Sequence, residues 1–255
     1  MEIPSQNPTL AWSLIKNSKN KSKVNSLDPE TPVYDNYIRF VAISDTHGRH
    51  NRIKIPNCDV LLHCGDFTYN GYKRSEIIDF DEYLGTLPNY KKIVIAGNHE
   101  LDMHKVNNKN PYKFQNCEYL QDSSTTIFGY KIYGTPWVPH YHRGAFMLNR
   151  GEQLKEKWGE IPNDTDILLT HGPPLGYGDK TRGNNRAGDV DLLLEVQNRI
   201  KPIMHVFGHI HDGKGAWTDG TTTFANAAIC DNHYRPSNYP FVFDLPVLAN
   251  FPKNL

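Results

Sequence analysis

The fold is set by the segment Ile-Arg-Phe-Val-Ala-Ile-Ser-Asp-Thr-His-Gly at residues 38–48. An apolar run that ends in a polar turn with a glycine is typical of a buried strand in a parallel sheet. Similar runs follow at residues 60–64 and 92–96, and residues 76–84 between them carry apolar side chains at helical spacing. This strand–helix–strand alternation predicts an α/β protein whose parallel sheet is covered by helices.

A second series of apolar segments lies downstream. It predicts strands at 130–134, 167–170, 204–208, 221–229 and 240–245, and helices at 151–158 and 190–200. Two sheets with helices on the outside would hold all of these elements. No internal repeat or linker interrupts the chain, so we predict one domain at 37–255. We expect residues 1–36 to be a flexible polar N-terminal segment, because residues 16–23 are basic and lack apolar periodicity.

Composition excludes several classes of protein. Lys+Arg and Asp+Glu both number 28, and this balance argues against a surface that binds nucleic acid. The four cysteines form no C-x-x-C pair, and no apolar run approaches the length of a membrane span. The N-terminus shows no signal-peptide pattern. We therefore expect a cytoplasmic protein with no membrane partner, and the oligomeric state stays open.

Five short segments with ligand-type residues follow the ends of predicted strands, and each contains a glycine. Because the carboxyl ends of parallel strands open on the same edge of a sheet, these segments are expected to converge. In the Asp-x-His and His-x-His pairs, alternate residues of an extended segment point to the same side. The candidate ligands are Asp45, His47, Asp66, Asn98, His171, His209 and His211.

These residue types predict a pair of metal ions. Carboxylate, imidazole and amide oxygen ligands suit Mn, Fe or Zn better than calcium, and no thiolate is among them. Two divalent or trivalent ions about 3.5–4 Å apart repel each other, so an anionic ligand has to lie between them. Asp66 is the natural bridging carboxylate, and a hydroxide can be the second bridge.

The ordered motifs D-x-H, G-D, G-N-H-E, an isolated His and G-H-x-H resemble those of the calcineurin-like metallophosphoesterase superfamily. Longer stretches resemble its metallophosphoesterase-domain-containing group, and they lie at 59–68, 92–101, 170–176, 205–211 and 243–246. The resemblance covers about residues 38–246. It implies a four-layer α/β/β/α sandwich, with two mixed sheets flanked by helices and a dinuclear site.

The resemblance also implies a role for each site residue. The first metal would be held by Asp45, His47, Asp66 and His211. The second would be held by Asp66, Asn98, His171 and His209. His99 would not be a ligand but would face the substrate, and it forms the catalytic set together with Asp66. Contacts to the substrate are expected from Asn98, His99 and His211.

The resemblance implies hydrolysis of phosphodiesters, with nucleoside cyclic phosphates or related diesters as substrates and a metal-bridging hydroxide as nucleophile. The partner would be a small-molecule phosphate ester or nucleotide. Residues 65–71 lack the arginine that follows the bridging aspartate in phosphoprotein phosphatases of this superfamily. Two alternatives remain open: a phosphomonoesterase or phosphoprotein phosphatase, and a metal- and nucleotide-binding scaffold with vestigial activity.

Several residues outside this set have two interpretations. Glu100 could orient loop groups near the metals or be an ordinary surface or helix-cap residue. Asn226 could support a histidine-bearing loop. Residues 176–188 form a polar, glycine-rich segment that could contact substrate or be a solvated loop. His63 and His205 lie inside apolar strands and are expected to pack in the core.

Overall fold

The computed structural model describes residues 3–88, 91–104 and 112–251, in which fourteen strands and five α-helices form. The first seven strands are β1 (Ser22–Val24), β2 (Tyr37–Ile43), β3 (Val60–Cys64), β4 (Lys91–Ile95), β5 (Glu118–Tyr119), β6 (Ser123–Ile127) and β7 (Tyr130–Thr135). The others are β8 (Val138–Pro139), β9 (Met147–Leu148), β10 (Ile167–Thr170), β11 (Met204–Phe207), β12 (Gly215–Thr218), β13 (Thr223–Asn226) and β14 (Phe241–Pro246). The helices are α1 (Pro8–Ile15), α2 (Arg74–Thr86), α3 (Leu101–His104), α4 (Glu152–Gly159) and α5 (Val190–Glu195), which continues into a π-helical turn at Val196–Ile200.

The segment at residues 38–48 supplies β2, which lies inside a five-stranded sheet of order β14-β2-β3-β4-β5. Strands β2 to β5 run parallel to one another, and β14 pairs antiparallel with β2. Residues of β2 point alternately to the two faces of the sheet, and Ile38 to Ile43 are all buried. Burial on both faces explains why this strand is apolar on both sides rather than alternating, apart from Arg39, which pairs with Asp244 of β14 at 2.9 Å.

The second sheet has seven strands in the order β1-β12-β13-β11-β10-β7-β6. Its four central strands β7, β10, β11 and β13 are parallel, and antiparallel strands complete it at both sides. A short parallel pair of β8 and β9 stands apart. Both large sheets are therefore mixed.

The two sheets pack face to face around a shared apolar core. Phe40, Leu62 and Ile95 from the first sheet lie in one buried cluster with Leu169 and Val206 from the second. A second buried cluster joins outward-facing strand residues to residues of α2, α4 and α5, among them Val41, Leu61, Leu168, Phe80, Leu84, Trp158 and Leu193. The prediction of a four-layer α/β/β/α sandwich is confirmed.

The N-terminal segment contains regular structure that the sequence pattern did not indicate. Helix α1 begins with Pro8 at its first turn, and the Asn7 side chain accepts a hydrogen bond from the Leu10 N–H. Strand β1 pairs antiparallel with β12, with Lys23 opposite Trp217. Main-chain pairing at a sheet edge needs no apolar periodicity, which explains why a basic segment forms a strand. A domain boundary at residue 36 stays a prediction.

No helix in the described ranges combines the length and the apolar character needed to cross a lipid bilayer.

Candidate metal centre

The predicted ligand segments meet at one edge of the sandwich. The segments after β2, β3 and β4 come from the first sheet, and those after β10 and β11 come from the second. They surround a polar cavity of about 150 Å³. The cavity is lined by His47, Asp66, Asn98, His99, Tyr141, His209, His211, Asn232 and Tyr234. Asp45 and His171 lie directly behind this lining and are fully buried.

Four of the predicted ligands adopt a left-handed backbone. The φ angles are 54° at Asp45, 43° at His47, 55° at Asp66 and 66° at His209. A non-glycine residue in this region costs roughly 1–2 kcal/mol. Hydrogen bonds hold the strained residues in place, because the His47 N–H donates to the Asp66 carbonyl and the His209 N–H donates to the Asp45 carboxylate. Such strain is concentrated at functional sites in proteins.

Glycine is required beside two of the carboxylates for lack of space. A Cβ at Gly97 would lie 2.4 Å from an oxygen of Asp66, and one at Gly208 would lie 2.0 Å from an oxygen of Asp45. The strand-end glycines thus allow the ligand loops of the two sheets to approach each other closely.

Asp45, His47 and His211 form the first cluster of potential metal ligands, with ligand atoms all within 4.8 Å of one another. The Nε2 atoms of His47 and His211 are 3.2 Å apart, and His211 Nε2 is 3.4 Å from an Asp45 oxygen. The Asp66 carboxylate reaches to 3.9 Å from His47 Nε2. These four residues are the ones predicted for the first metal.

Asp66, His171 and His209 form the second cluster. His171 Nε2 lies 3.3 Å from an Asp66 oxygen and 3.0 Å from the Asn98 side-chain oxygen. The rings of His171 and His209 are 5.0 Å apart between centroids. Asp66 belongs to the second cluster, and its carboxylate also reaches to 3.9 Å from His47 of the first, which is the position that a bridging ligand requires.

His99 forms a third possible group with His47 and Asp66. Its Nε2 is 4.0 Å from the Asp66 carboxylate, and its side chain is 24% exposed, whereas His171 is fully buried. Its Nδ1 lies 2.6 Å from the Tyr69 carbonyl oxygen. The His99 imidazole is therefore more open than those of His47, His171 and His211, a position that suits contact with a substrate. Its non-ligand role stays a prediction.

The electrostatics of the cavity fit bound cations. Burial would raise the pKa of the Asp66 carboxyl, but the His171 and His99 rings outweigh it and hold this pKa well below its ordinary value. Burial would lower the pKa of His171, but Asp66 outweighs it and raises this pKa to about 9. The buried carboxylates thus draw positive charge towards themselves. Divalent ions satisfy the same demand when they replace the protons, as metal binding to imidazole requires.

Two other histidines already favour the metal-binding form. Burial lowers the pKa of His47 to about 4 and that of His209 to about 3. Both rings are therefore neutral near pH 7 and keep a nitrogen lone pair for coordination. The mixture of carboxylate, imidazole and amide donors suits divalent metal ions, and the choice among Mn, Fe and Zn stays a prediction.

Glu100 holds two of the ligand loops together. Its fully buried carboxylate accepts hydrogen bonds from the N–H groups of Asp66 (2.9 Å), Thr68 (2.9 Å) and Gly97 (2.6 Å). Burial, assisted by the nearby Asp66 charge, raises the pKa of Glu100 to about 7. The interpretation as a surface residue is therefore wrong, and Glu100 orients the loops after β3 and β4.

Asn226 connects the other ligand loop to the body of the second sheet. Its amide nitrogen donates to the carbonyls of Gly178 and Ile210, each at 2.9 Å. The bond to Ile210 anchors the loop between His209 and His211. This is the supporting role considered from the sequence.

His63 and His205 pack in the core behind the cavity, as expected. His63 Nε2 lies 3.1 Å from the Thr46 hydroxyl, and His205 Nε2 lies 2.8 Å from the Thr170 hydroxyl. Burial lowers the pKa of each to about 3, so both rings are neutral. Each histidine supports a threonine that directly adjoins a predicted ligand.

The polar segment at 176–188 is anchored by its own charged side chains. Arg186 pairs with the buried Asp179, and its guanidinium lies 4.8 Å from the Trp12 ring centroid in α1. Thr181 and Ala187 line a cavity of about 240 Å³ together with Tyr141 and His209. Arg186 is therefore a structural residue, while a contact between this segment and substrate stays a prediction.

Sequence reasoning missed the aromatic walls of the cavity. The Tyr234 ring packs edge-on at 4.6 Å from the His47 ring, and the Tyr141 hydroxyl accepts a 3.4 Å hydrogen bond from the Asn98 amide. Neither tyrosine belongs to a ligand motif. Tyr141 also borders a larger open cavity of about 610 Å³ beside Tyr72 and Arg143.

The ordered ligand loops and the two stacked sheets define a class of protein. The family model for calcineurin-like phosphoesterases matches residues 38–213, and the chain belongs to this family. Members of this class are metal-dependent phosphoester hydrolases that use divalent ions.

Comparison with individual proteins narrows the class. The chain is 44% identical to metallophosphoesterase domain-containing protein 1 of Homo sapiens over 96% of this chain and 84% of that protein, and the Mus musculus protein gives the same values. It is 40% identical to the UPF0046 protein C25E10.12 of Caenorhabditis elegans over 95% of this chain and 94% of that protein.

Proposed function

We propose that the protein hydrolyses phosphodiesters, with nucleoside cyclic phosphates or related diesters as substrates. The observation that carries the proposal is the pair of ligand clusters around one polar cavity, with Asp66 a member of one cluster and 3.9 Å from His47 of the other. Asp45, His47, Asp66 and His211 would hold one divalent or trivalent ion. Asp66, Asn98, His171 and His209 would hold the other.

The bound ions supply Lewis acidity, which lowers the pKa of water and offsets the charge of phosphoryl oxygens. The protein positions the ester around them. His99 offers Nε2 to the leaving oxygen or to a phosphoryl oxygen, and Asn98 and His211 lie where the same phosphate would be bound. Water adds across the ester bond, so that the leaving oxygen gains a proton as the P–O bond breaks.

The charge of the cavity favours a diester. None of its lining residues, all within the described chain, is a lysine or an arginine. A phosphate diester carries a single negative charge, whereas a monoester carries up to two near neutral pH. Beyond the proposed metal ions, the second charge of a monoester would meet no lysine or arginine among these described lining residues, which argues against a phosphoprotein phosphatase.

Two further features bear on the setting of the protein. The four cysteines are free, and none belongs to the ligand clusters. Free thiols suit a reducing compartment, and this supports the proposal of a cytoplasmic protein. Mn, Fe and Zn are proposed as the ions because all three accept this donor set.

A turnover assay with two synthetic esters tests the proposal. The protein is stripped with a chelator, reloaded with Mn²⁺, and assayed with bis-p-nitrophenyl phosphate and p-nitrophenyl phosphate, followed by a panel of nucleoside cyclic phosphates. We expect a preference for the diester and loss of most activity in Asp66→Asn. A preference for the monoester would overturn the proposal in favour of a phosphomonoesterase. Metal-loaded protein without turnover would identify the binding scaffold instead.

A further inference from the structure

His99 is oriented by the main chain of a neighbouring loop. Its Nδ1 lies 2.6 Å from the Tyr69 carbonyl oxygen. Because a carbonyl oxygen only accepts, Nδ1 carries the hydrogen of this bond. The main-chain N–H of His99 donates to an Asp66 carboxylate oxygen at 2.8 Å and fixes the backbone of the residue. The ring therefore presents Nε2 as its free nitrogen.

One side chain binds three successive amides of the loop that carries the Tyr69 carbonyl. Glu76, in the first turn of α2, accepts hydrogen bonds through a single oxygen, Oε2, from three successive N–H groups. The donors are Tyr69 at 2.8 Å, Asn70 at 3.1 Å and Gly71 at 3.5 Å. Hydrogen bonds from amides to a carboxylate are charge-assisted, so these three bonds hold the turn at residues 69–71 in place.

The turn at residues 69–71 is packed against the backbone of His99. A Cβ at Gly71 would lie 1.5 Å from the His99 carbonyl oxygen, and the Gly71 φ is +64°. The Gly71 carbonyl also accepts a 2.7 Å hydrogen bond from the Asp102 N–H in α3. A shift of this turn would therefore move the Tyr69 carbonyl relative to the His99 ring.

We infer that Glu76 is a positioning residue for His99: it holds the turn at 69–71 so that the Tyr69 carbonyl aims the imidazole at the substrate. Glu76 is not among the residues that line the cavity and belongs to none of the ligand clusters. It acts on the reaction only through the turn and the ring. This role rests on the proposed phosphodiesterase activity.

The role predicts which substrates depend on Glu76. When the P–O bond breaks, the leaving oxygen takes up negative charge. The imidazolium form of His99, which carries hydrogens on both Nδ1 and Nε2, offsets this charge by a hydrogen bond or proton from Nε2. A basic leaving group such as phenolate needs this assistance more than p-nitrophenolate does. A misdirected ring should therefore slow a phenyl ester more than a p-nitrophenyl ester. General loosening of the site would slow both esters equally.

The test compares methyl phenyl phosphate with methyl p-nitrophenyl phosphate as substrates of the Mn²⁺-loaded protein. For Glu76→Ala we expect the kcat for the phenyl ester to fall about tenfold further than the kcat for the p-nitrophenyl ester, a part of the usual general-acid contribution. Glu76→Gln should restore most of the loss, because one carbonyl oxygen can replace Oε2 as acceptor. Glu82→Ala, at an exposed glutamate of the same helix, should match wild type.

A double-mutant cycle and metal analysis complete the test. In the His99→Asn background, Glu76→Ala should have no further effect on the ratio of the two kcat values. Equal slowing of both esters, loss of metal from Glu76→Ala, or the same change of ratio in the His99→Asn background would overturn the inference alone. Wild-type protein that cleaves neither ester would overturn the proposed function and the role of Glu76 with it.

Discussion

Main-chain carbonyls fix the orientation of three histidines at the cavity. In each case the ring donates Nδ1–H to a carbonyl oxygen and leaves Nε2 free for a metal or substrate. The pairs are His99 with Tyr69 (2.6 Å), His171 with Cys64 (2.7 Å) and His211 with Asp231 (3.0 Å). The same kind of bond therefore orients residues for which we propose different roles. His99 differs in being the more exposed of the three and in having no predicted metal.

Replacement of His99 separates catalysis from metal binding. We expect His99→Asn to lower kcat by roughly 10²–10⁴-fold, the usual size of a general-acid contribution. The metal content should stay at the wild-type level, because neither proposed ligand set includes His99. Steady-state kinetics and elemental analysis of the same preparation provide the measurement. A variant that loses metal would show that His99 is a ligand, as its grouping with His47 and Asp66 allows.

Replacement of Glu100 tests the loop support. In Glu100→Gln, an amide N–H₂ would replace an oxygen that now faces only N–H or O–H donors. We expect a loss of about 1–3 kcal/mol in the free energy of unfolding, because a buried donor is left without an acceptor. Urea denaturation monitored by fluorescence measures the loss, with Glu82→Gln as an exposed control. Unchanged stability would mean that the loops relax around the amide.

At the scale of elements, the N-terminal arm (residues 3–24) packs against the second sheet and the loops beside it. Trp12 of α1 packs on Gly176, where an added Cβ would lie 2.1 Å from the indole. Lys21, just before β1, places its Nζ 4.4 Å from the Trp217 ring of β12. The segment that contains Gly176 continues to Gly178, whose carbonyl oxygen accepts a hydrogen bond from the Asn226 amide. A continuous set of contacts thus joins the arm to the loop that carries His209 and His211.

These contacts of the N-terminal arm predict that α1 contributes to the stability of the whole domain. Trp12→Ala removes the half-buried indole from Gly176 and Arg186, and we expect it to cost about 2 kcal/mol, less than for a fully buried tryptophan. The midpoint of urea denaturation should fall, while Leu14→Ala, at a side chain of the same helix that is 46% exposed, should leave it nearly unchanged. Equal midpoints for the two variants would mean that the arm docks without stabilising the domain.

At the scale of the molecule, the features that could be predicted from the sequence are those with a local signature. The apolar run of β2, followed by Asp45 and His47, carries both the strand and the ligand pair within a few residues. Topology then brings such segments together, because parallel strands share one edge. The downstream apolar segments predicted the second sheet, and the resemblance to a known family added the arrangement of four layers.

The remaining features have no local signature. Tyr234 and Tyr141 reach the cavity from segments without a ligand motif, and only tertiary packing places them there. The hydrogen bonds of Glu76 go to backbone N–H groups, which every residue except proline carries, so no residue pattern marks their partners. The same reason hides β1, which pairs through its main chain. Residue types therefore predict the roles that side chains perform within a motif. They do not predict contacts that are made through the main chain.

The whole molecule should respond to pH differently with and without metal. In the metal-free protein, burial lowers the pKa of His171, but the Asp66 carboxylate outweighs it and raises this pKa to about 9. An unfolded histidine titrates near 6.5, at about its ordinary value. A pKa raised by folding stabilises the protein fully below the unfolded value, and this stabilisation is lost as pH rises through the folded value. Metal-free protein should therefore lose stability between about pH 6.5 and 9, by at most on the order of 3 kcal/mol.

With Mn²⁺ bound, His171 carries no such proton, so stability over this range should be flat or rise, and the metal should add further stability by mass action. Urea denaturation of chelated and Mn²⁺-loaded protein at several pH values measures both slopes. Parallel slopes in the two forms would mean that the proton on His171 and the metal do not compete for the same site.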